Sequence, residues 1–183
     1  MTKATRGTAP NMLIWSAVLG LTAAVGSYGL ACVFPFAALA ALAAVTLPTR
    51  IAIVLMGAVW AVNQVVGFTL LSYPHDGQAL IWGIVIGVAA FAALGAAKLV
   101  YGHETKLLSM RTVAALVASV AAYQLVMLVG AFALDGFESS TPTIVATLVR
   151  NDVIWFAGLA VLRVALSYGL PRWFGTAPAL RTA

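Results

Sequence analysis

The stretch RIAIVLMGAVWAVNQVVGFTLLSYPHDG, Arg50 to Gly77, decides the fold. From Ile51 to Ser72 it carries no charged side chain. At about 1.5 Å per residue, a helix of that length crosses the roughly 30 Å hydrocarbon core of a bilayer. An arginine stands at one end, and a turn containing Tyr73, Pro74, His75 and Asp76 stands at the other. Two side-chain amides, Asn63 and Gln64, interrupt the run near its middle, where a polar group without a partner is costly.

The same pattern recurs along the chain. Six apolar runs, at about 12–30, 32–48, 51–72, 79–100, 111–134 and 143–169, leave no room for a soluble domain. Charged residues make up 8% of the chain and hydrophobic ones 63%, whereas a soluble domain carries about a quarter charged. Mean hydropathy is +1.04. Lipid admits only helices and closed barrels, because every backbone polar group must be satisfied internally. Barrel strands alternate over about ten residues, and these runs are longer and continuous. The expected fold is therefore an all-α membrane protein: residues 1–183 as one compact bundle of six transmembrane helices. The first run exceeds the roughly 7–15 residues of a signal-peptide core, so it reads as a retained helix.

Charge sets the expected orientation. Lys3, Arg6, Arg50, Lys98, Lys106, Arg111, Arg172 and Arg181 all fall on the side of the N-terminus. The alternate loops contain no Lys or Arg and carry Asp76, Asp135 and Glu138. Basic loops stay cytoplasmic, which places both termini in the cytoplasm and the acidic loops outside. Trp15, Tyr101, Tyr168 and Trp173 then fall at the inner boundary, with Tyr28, Tyr73 and Trp82 at the outer one, as interfacial aromatics prefer. Trp60, Tyr123 and Trp155 lie deeper and read as packing. The expected location is a bacterial inner membrane.

The polar side chains concentrate in the outer half. Asn63 and Gln64 lie about 12–14 Å below the outer end of their helix. Gln124 has a similar depth, and Arg150, Asn151 and Asp152 lie about two turns into the last helix. Each has two readings. Intramembrane amides hydrogen-bond neighbouring helices, and Arg150 with Asp152 forms a neutralising pair; or these groups line a ligand site, the default reading of an ionisable residue at depth. His75 is either a solvated loop residue or a ligand contact, and Cys32 either a small apolar residue or a soft metal ligand. On the first helix Ser16, Gly20 and Ala24 form a small-residue stripe that suits internal packing or a partner helix.

Several functions are excluded by what is missing. There is no HExxH, GxSxG or Walker A motif, so neither a metalloprotease nor a nucleotide hydrolase is expected. His75 and His103 fall on opposite sides of the membrane and cannot ligate one haem together. His75 with Asp76 has no nucleophile beside it, so an enzyme is not expected. The +5 net charge is spread over short loops, which does not suit nucleic acid.

Six helices in under 200 residues, the Ser16–Gly20–Ala24 stripe and the outer polar cluster together resemble the substrate-binding S-components of energy-coupling-factor vitamin transporters. In size and apolar character the chain is most similar to the solitary BtuM-type cobalamin members. The resemblance implies an outer-half cavity for a vitamin, with Asn63, Gln64, Tyr73, His75, Asp76, Trp82, Gln124, Arg150, Asn151 and Asp152 as candidate contacts. It implies the 73–76 and 135–138 loops as lids, and His75 or Cys32 as candidate donors to the cobalt of a bound cobalamin. It further implies that the helix 1 stripe docks a coupling subunit with its ATPases, or a second copy. No intrinsic cofactor is expected. The alternative is a non-transporting subunit of a larger membrane complex, in which Asn63, Gln64 and Arg150 face neighbouring helices.

Overall fold

The computed structural model of the chain describes residues 9–30, 34–102, 107, 109–134, 136 and 141–174. Its elements, in order, are α1 (Ala9–Leu30), α2 (Phe36–Thr46), α3 (Thr49–Thr69), α4 (Gly77–Tyr101), α5 (Met110–Ala133), α6 (Pro142–Gly169) and a single turn, α7 (Pro171–Phe174). Local sequence sets most of the starts. The Asp76 carboxylate accepts from the Ala79 amide at 2.8 Å and begins α4. The Ser109 hydroxyl accepts from Thr112 N–H at 3.2 Å ahead of α5, and Thr141 precedes Pro142 at the start of α6. Such caps supply acceptors to the orphan amides of a helix's first turn, and proline is favoured where its missing N–H costs nothing.

Five helices, namely α1 and α3 to α6, are long and apolar enough to cross a membrane. The protein is an integral membrane protein. The second apolar run, expected to span over 32–48, does not. α2 has 11 residues, about 16 Å of helix, or roughly half a hydrocarbon core. The reason is proline at both ends. Pro35 is the cap that precedes α2, and Pro48 the cap that precedes α3. Within a helix proline lacks the N–H for the i−4 bond and clashes with the preceding turn, and it biases the residue before it away from helical angles.

This short helix is the centre of the molecule. Every residue from Phe36 to Ala44 is buried, and α2 packs on α3, α4, α5 and α6. Six alanines (Ala37, Ala38, Ala40, Ala41, Ala43 and Ala44) keep its surface thin, so the surrounding backbones come close. α4 contributes its own buried alanines, Ala89, Ala90, Ala93 and Ala97. The longer helices present Leu21, Val54, Leu99, Val117, Phe132 and Val161 outward, an apolar surface suited to lipid rather than water.

Both ends of α2 are tied by side chains from other helices. At its start, Asp152 of α6 accepts from the Ala38 amide at 2.8 Å, with the Ala37 amide beside it. Phe36 N–H and Leu39 N–H donate to Phe34 O and Pro35 O. The Ser119 hydroxyl of α5 donates to Ala37 O at 2.8 Å. At its other end the Trp15 indole donates to the Thr46 hydroxyl at 2.9 Å, which donates to Leu42 O. Lys98 of α4 donates to Leu47 O at 2.6 Å. Trp15 and Tyr101 are buried in this end, while Tyr28 and Tyr168 are exposed.

Removing the Asp152 acceptor by Asp152→Ala leaves a buried amide without a partner, a loss of about 1–3 kcal/mol. Thermal unfolding in detergent is expected to fall clearly for Asp152→Ala and less for Asp152→Asn, which keeps an oxygen acceptor. Unchanged unfolding of Asp152→Ala would exclude this role.

Candidate functional site

The end of the bundle that holds Asp76, opposite the basic end of Arg50, Lys98 and Arg111, contains most of the candidate residues. The structure distributes them over four places.

The first is a polar chain across three helices. Asn63 Nδ2 donates to the hydroxyl of Ser27 on α1 at 3.3 Å, and Gln64 Nε2 donates to Asn63 Oδ1 at 3.3 Å. Ser27 is fully buried. Gln64 Oε1 lies against Gly83 of α4, where a Cβ would collide with it. One turn earlier, the Trp60 indole donates to Gly83 O at 2.8 Å and packs on Gly87. The two glycines are thus the surface that admits Gln64 and Trp60. The sequence singled out both amides. It missed Ser27, whose partner depends on how α1 is rotated.

The second is the loop after α3. Tyr73 folds back onto Gly67, its N–H donating to Gly67 O at 3.1 Å. Phe68 meets the Tyr73 ring edge-on at 6.4 Å and the His75 ring at 5.5 Å. Ser72 makes the reversal with a φ of 55°, a left-handed angle uncommon outside glycine. Asp76 is occupied as the α4 cap. His75 is exposed, its ring tilted against Phe68 near the end of α3.

The third is the α4–α5 seam. Trp82 is half-buried and lies on Gly130 and Gly136. Tyr123 is buried and stacks on Phe36 at 6.1 Å. Its neighbour Gln124 is half-buried, and its Nε2 is a buried donor with no partner.

The fourth is α6. Arg150 and Asp152, expected as an ion pair, are separated by helix geometry. Two residues apart on a helix face different ways. Arg150 is exposed, whereas Asp152 is 2% exposed and engaged with the start of α2. Asn151 between them is half-buried. Arg150 lines a shallow, largely open surface recess with Pro142, Thr143, Ala146 and Thr147, all of α6. These positions lie at i, i+1, i+4, i+5 and i+8, one face of the helix. The Thr147 hydroxyl donates to Thr143 O at 2.9 Å, leaving its oxygen lone pairs to accept. The exposed guanidinium and the Thr143 hydroxyl can donate to an anionic or polar group, while the Thr147 oxygen can only accept from one.

Among the described residues no three His, Cys, Asp or Glu side chains gather as a metal site. Cys32 lies outside the described residues, as do Asp135 and Glu138 of the expected second lid. On α1, the small-residue stripe is half-buried rather than free: Gly20 faces Leu55 of α3, 3.9 Å away measured from the position a Cβ would take. The outward stripe of that helix is Leu13, Ala17, Leu21, Val25 and Tyr28.

The polar chain gives a direct expectation. Asn63→Ala and Gln64→Ala each lower stability by about 0.6–2 kcal/mol, read as detergent melting. Gly83→Ala, which pushes a methyl into Gln64, costs about 1–3 kcal/mol by overpacking. Melting unchanged in all three variants would contradict the assignment. No family model matches the chain, and no curated protein or solved structure matches it.

Proposed function

We propose that the protein is a substrate-binding membrane transport protein that takes up a vitamin or related micronutrient bearing an anionic or polar group. The reading rests on the α6 recess, where Arg150 stands exposed beside Thr143 and Thr147 at the acidic end of the bundle. A cation kept on a spanning helix is expensive unless it is used or reaches water, and anion capture is a use that its donors fit. In this reading both termini are cytoplasmic, the membrane is the bacterial inner membrane and the solute arrives from the side of Asp76. The architecture that resembles vitamin S-components supports the ligand class, and cobalamin is its specific member. Cobalamin is larger than the recess, so the recess receives one polar arm of it, with the loop of Tyr73 and His75 as a further contact surface. A coupling subunit or a second copy docks on the apolar outer stripe of α1.

A second reading has an observation in its favour. Asn63 and Trp60 bond to neighbouring helices, and Gln64 bonds to Asn63 beside it, rather than facing open space. That is the arrangement of an accessory subunit whose polar groups only hold the bundle together.

Binding separates the two readings. Purified protein is inspected for a co-purified chromophore and titrated with cobalamins and a panel of anionic vitamins, with thermal shift as readout. The transport reading expects saturable stabilisation by one ligand and about tenfold weaker binding by Arg150→Gln, the loss of one charged hydrogen bond. A colourless protein that no ligand stabilises, or an Arg150→Gln variant that binds equally well, contradicts it.

A further inference from the structure

The basic end of the bundle has a second cavity, of about 250 Å³. Asn11, Met12 and Trp15 of α1 line it, with Thr46, Leu47 and Pro48 of the α2–α3 turn and Arg163 of α6. Most polar groups here are already engaged. Thr46 accepts from Trp15 and donates to Leu42 O, and Leu47 O accepts from Lys98. Two are not. Asn11 is only 6% exposed, and its Oδ1 is buried without a hydrogen-bond partner among the described residues. Arg163 has a guanidinium 5.3 Å from the Trp15 ring centre and 5.5 Å from that of Phe174. Its hydrogen bond among the described residues is a long one, from Nη1 to Ser167 Oγ at 3.5 Å.

These two groups ask for complementary things. A guanidinium has five N–H donors in a planar fork that matches the oxygens of a phosphate, and the flanking rings fix that plane. A buried amide oxygen asks for a donor, and leaving it unmet is costly. The volume equals roughly eight waters at about 30 Å³ each, which is room for a small polar headgroup and not for a large ligand. The surroundings are those in which basic pockets between spanning helices take up lipid headgroups.

We infer that this cavity binds a phosphate group that carries a neighbouring hydroxyl or ammonium donor, with the phosphate on Arg163 and the donor on Asn11 Oδ1. Two sources share that chemistry: the headgroup of a membrane phospholipid and a small soluble phosphate ester. The site is independent of the α6 recess, which lies at the other end of the bundle.

The test uses the full chain, purified in detergent and stripped of lipid. Native mass spectrometry reads retention of phosphatidylethanolamine, phosphatidylglycerol and phosphatidylcholine, and calorimetry reads binding of glycerol 3-phosphate. Phosphatidylethanolamine and phosphatidylglycerol, whose headgroups donate, are expected to be retained over phosphatidylcholine, whose trimethylammonium does not. That result assigns the lipid source; saturable glycerol 3-phosphate binding without lipid preference assigns the soluble one. Asn11→Leu and Arg163→Gln are each expected to weaken the binding about tenfold, the worth of one charged hydrogen bond. Arg163 also stacks between α1 and α7, so Asn11→Leu, which removes the lone acceptor and keeps the side chain's bulk, decides if Arg163→Gln does not fold. Folded Asn11→Leu that binds like wild type overturns the inference. So does the failure of all four compounds to bind, or phosphatidylcholine retained as well as the other lipids with no glycerol 3-phosphate bound.

Discussion

The hydrogen bond from the Ala38 amide to the Asp152 carboxylate is the constraint on which the rest of the arrangement depends. A helix that starts inside a bundle exposes its first amides to an interior without water. α2 starts there because Pro35 forbids an earlier start, and its orphan N–H groups require an acceptor delivered from elsewhere. Asp152 delivers it from about 15 Å along α6. A carboxylate is well suited to the place, since the partial positive charge of a helix N-terminus favours an anion. The pairing works in both directions: the carboxyl oxygen makes the half-length helix tenable, and the helix amides make the buried carboxyl group tenable.

From that bond the packing follows. A start fixed at Asp152 and an end fixed by Thr46 and Lys98 set the level of α2 within the bundle. Around it the spanning helices approach through alanine and glycine, and glycines admit larger groups at the α3–α4 seam, as Gly83 does Gln64 and Gly87 does Trp60. Polar side chains within the bundle centre are therefore mostly joints. Apart from the unpartnered Nε2 of Gln124, unspent capacity among the described residues is left towards the two ends: Arg150 at one, and Asn11 with Arg163 at the other. The functional proposals rest on those ends because the joints are already occupied.

Much of this was legible in the sequence. The run from Ile51 to Ser72 became α3 with ends displaced by two or three residues, and the other long runs behaved similarly. The run at 32–48 did not, because hydropathy cannot tell a span from a half-length helix buried on all sides. The signal was present in the 12 positions between Pro35 and Pro48, which leave too little chain to cross a bilayer. Depth was also legible: Asn63, Gln64 and Asp152 lie inside the bundle as their positions in the runs implied. Their partners were not. Whether Asn63 meets Ser27 or a ligand depends on the rotation of two helices, which tertiary packing sets and no local pattern encodes. Asp152 was paired with Arg150 by proximity in sequence, while its real partner is a backbone amide 114 positions away.

Amide hydrogen exchange at Ala38 tests the central claim most directly. The first amides of an ordinary helix have no intrahelical partner and exchange rapidly. Here the Ala38 amide, resolved by NMR in detergent or lipid, is predicted to persist as long as amides in the middle of α4, and to exchange much faster in Asp152→Ala. Rapid exchange of Ala38 in the wild-type protein, at the rate of the 72–76 loop, would contradict the account of a buried half-length helix capped from α6.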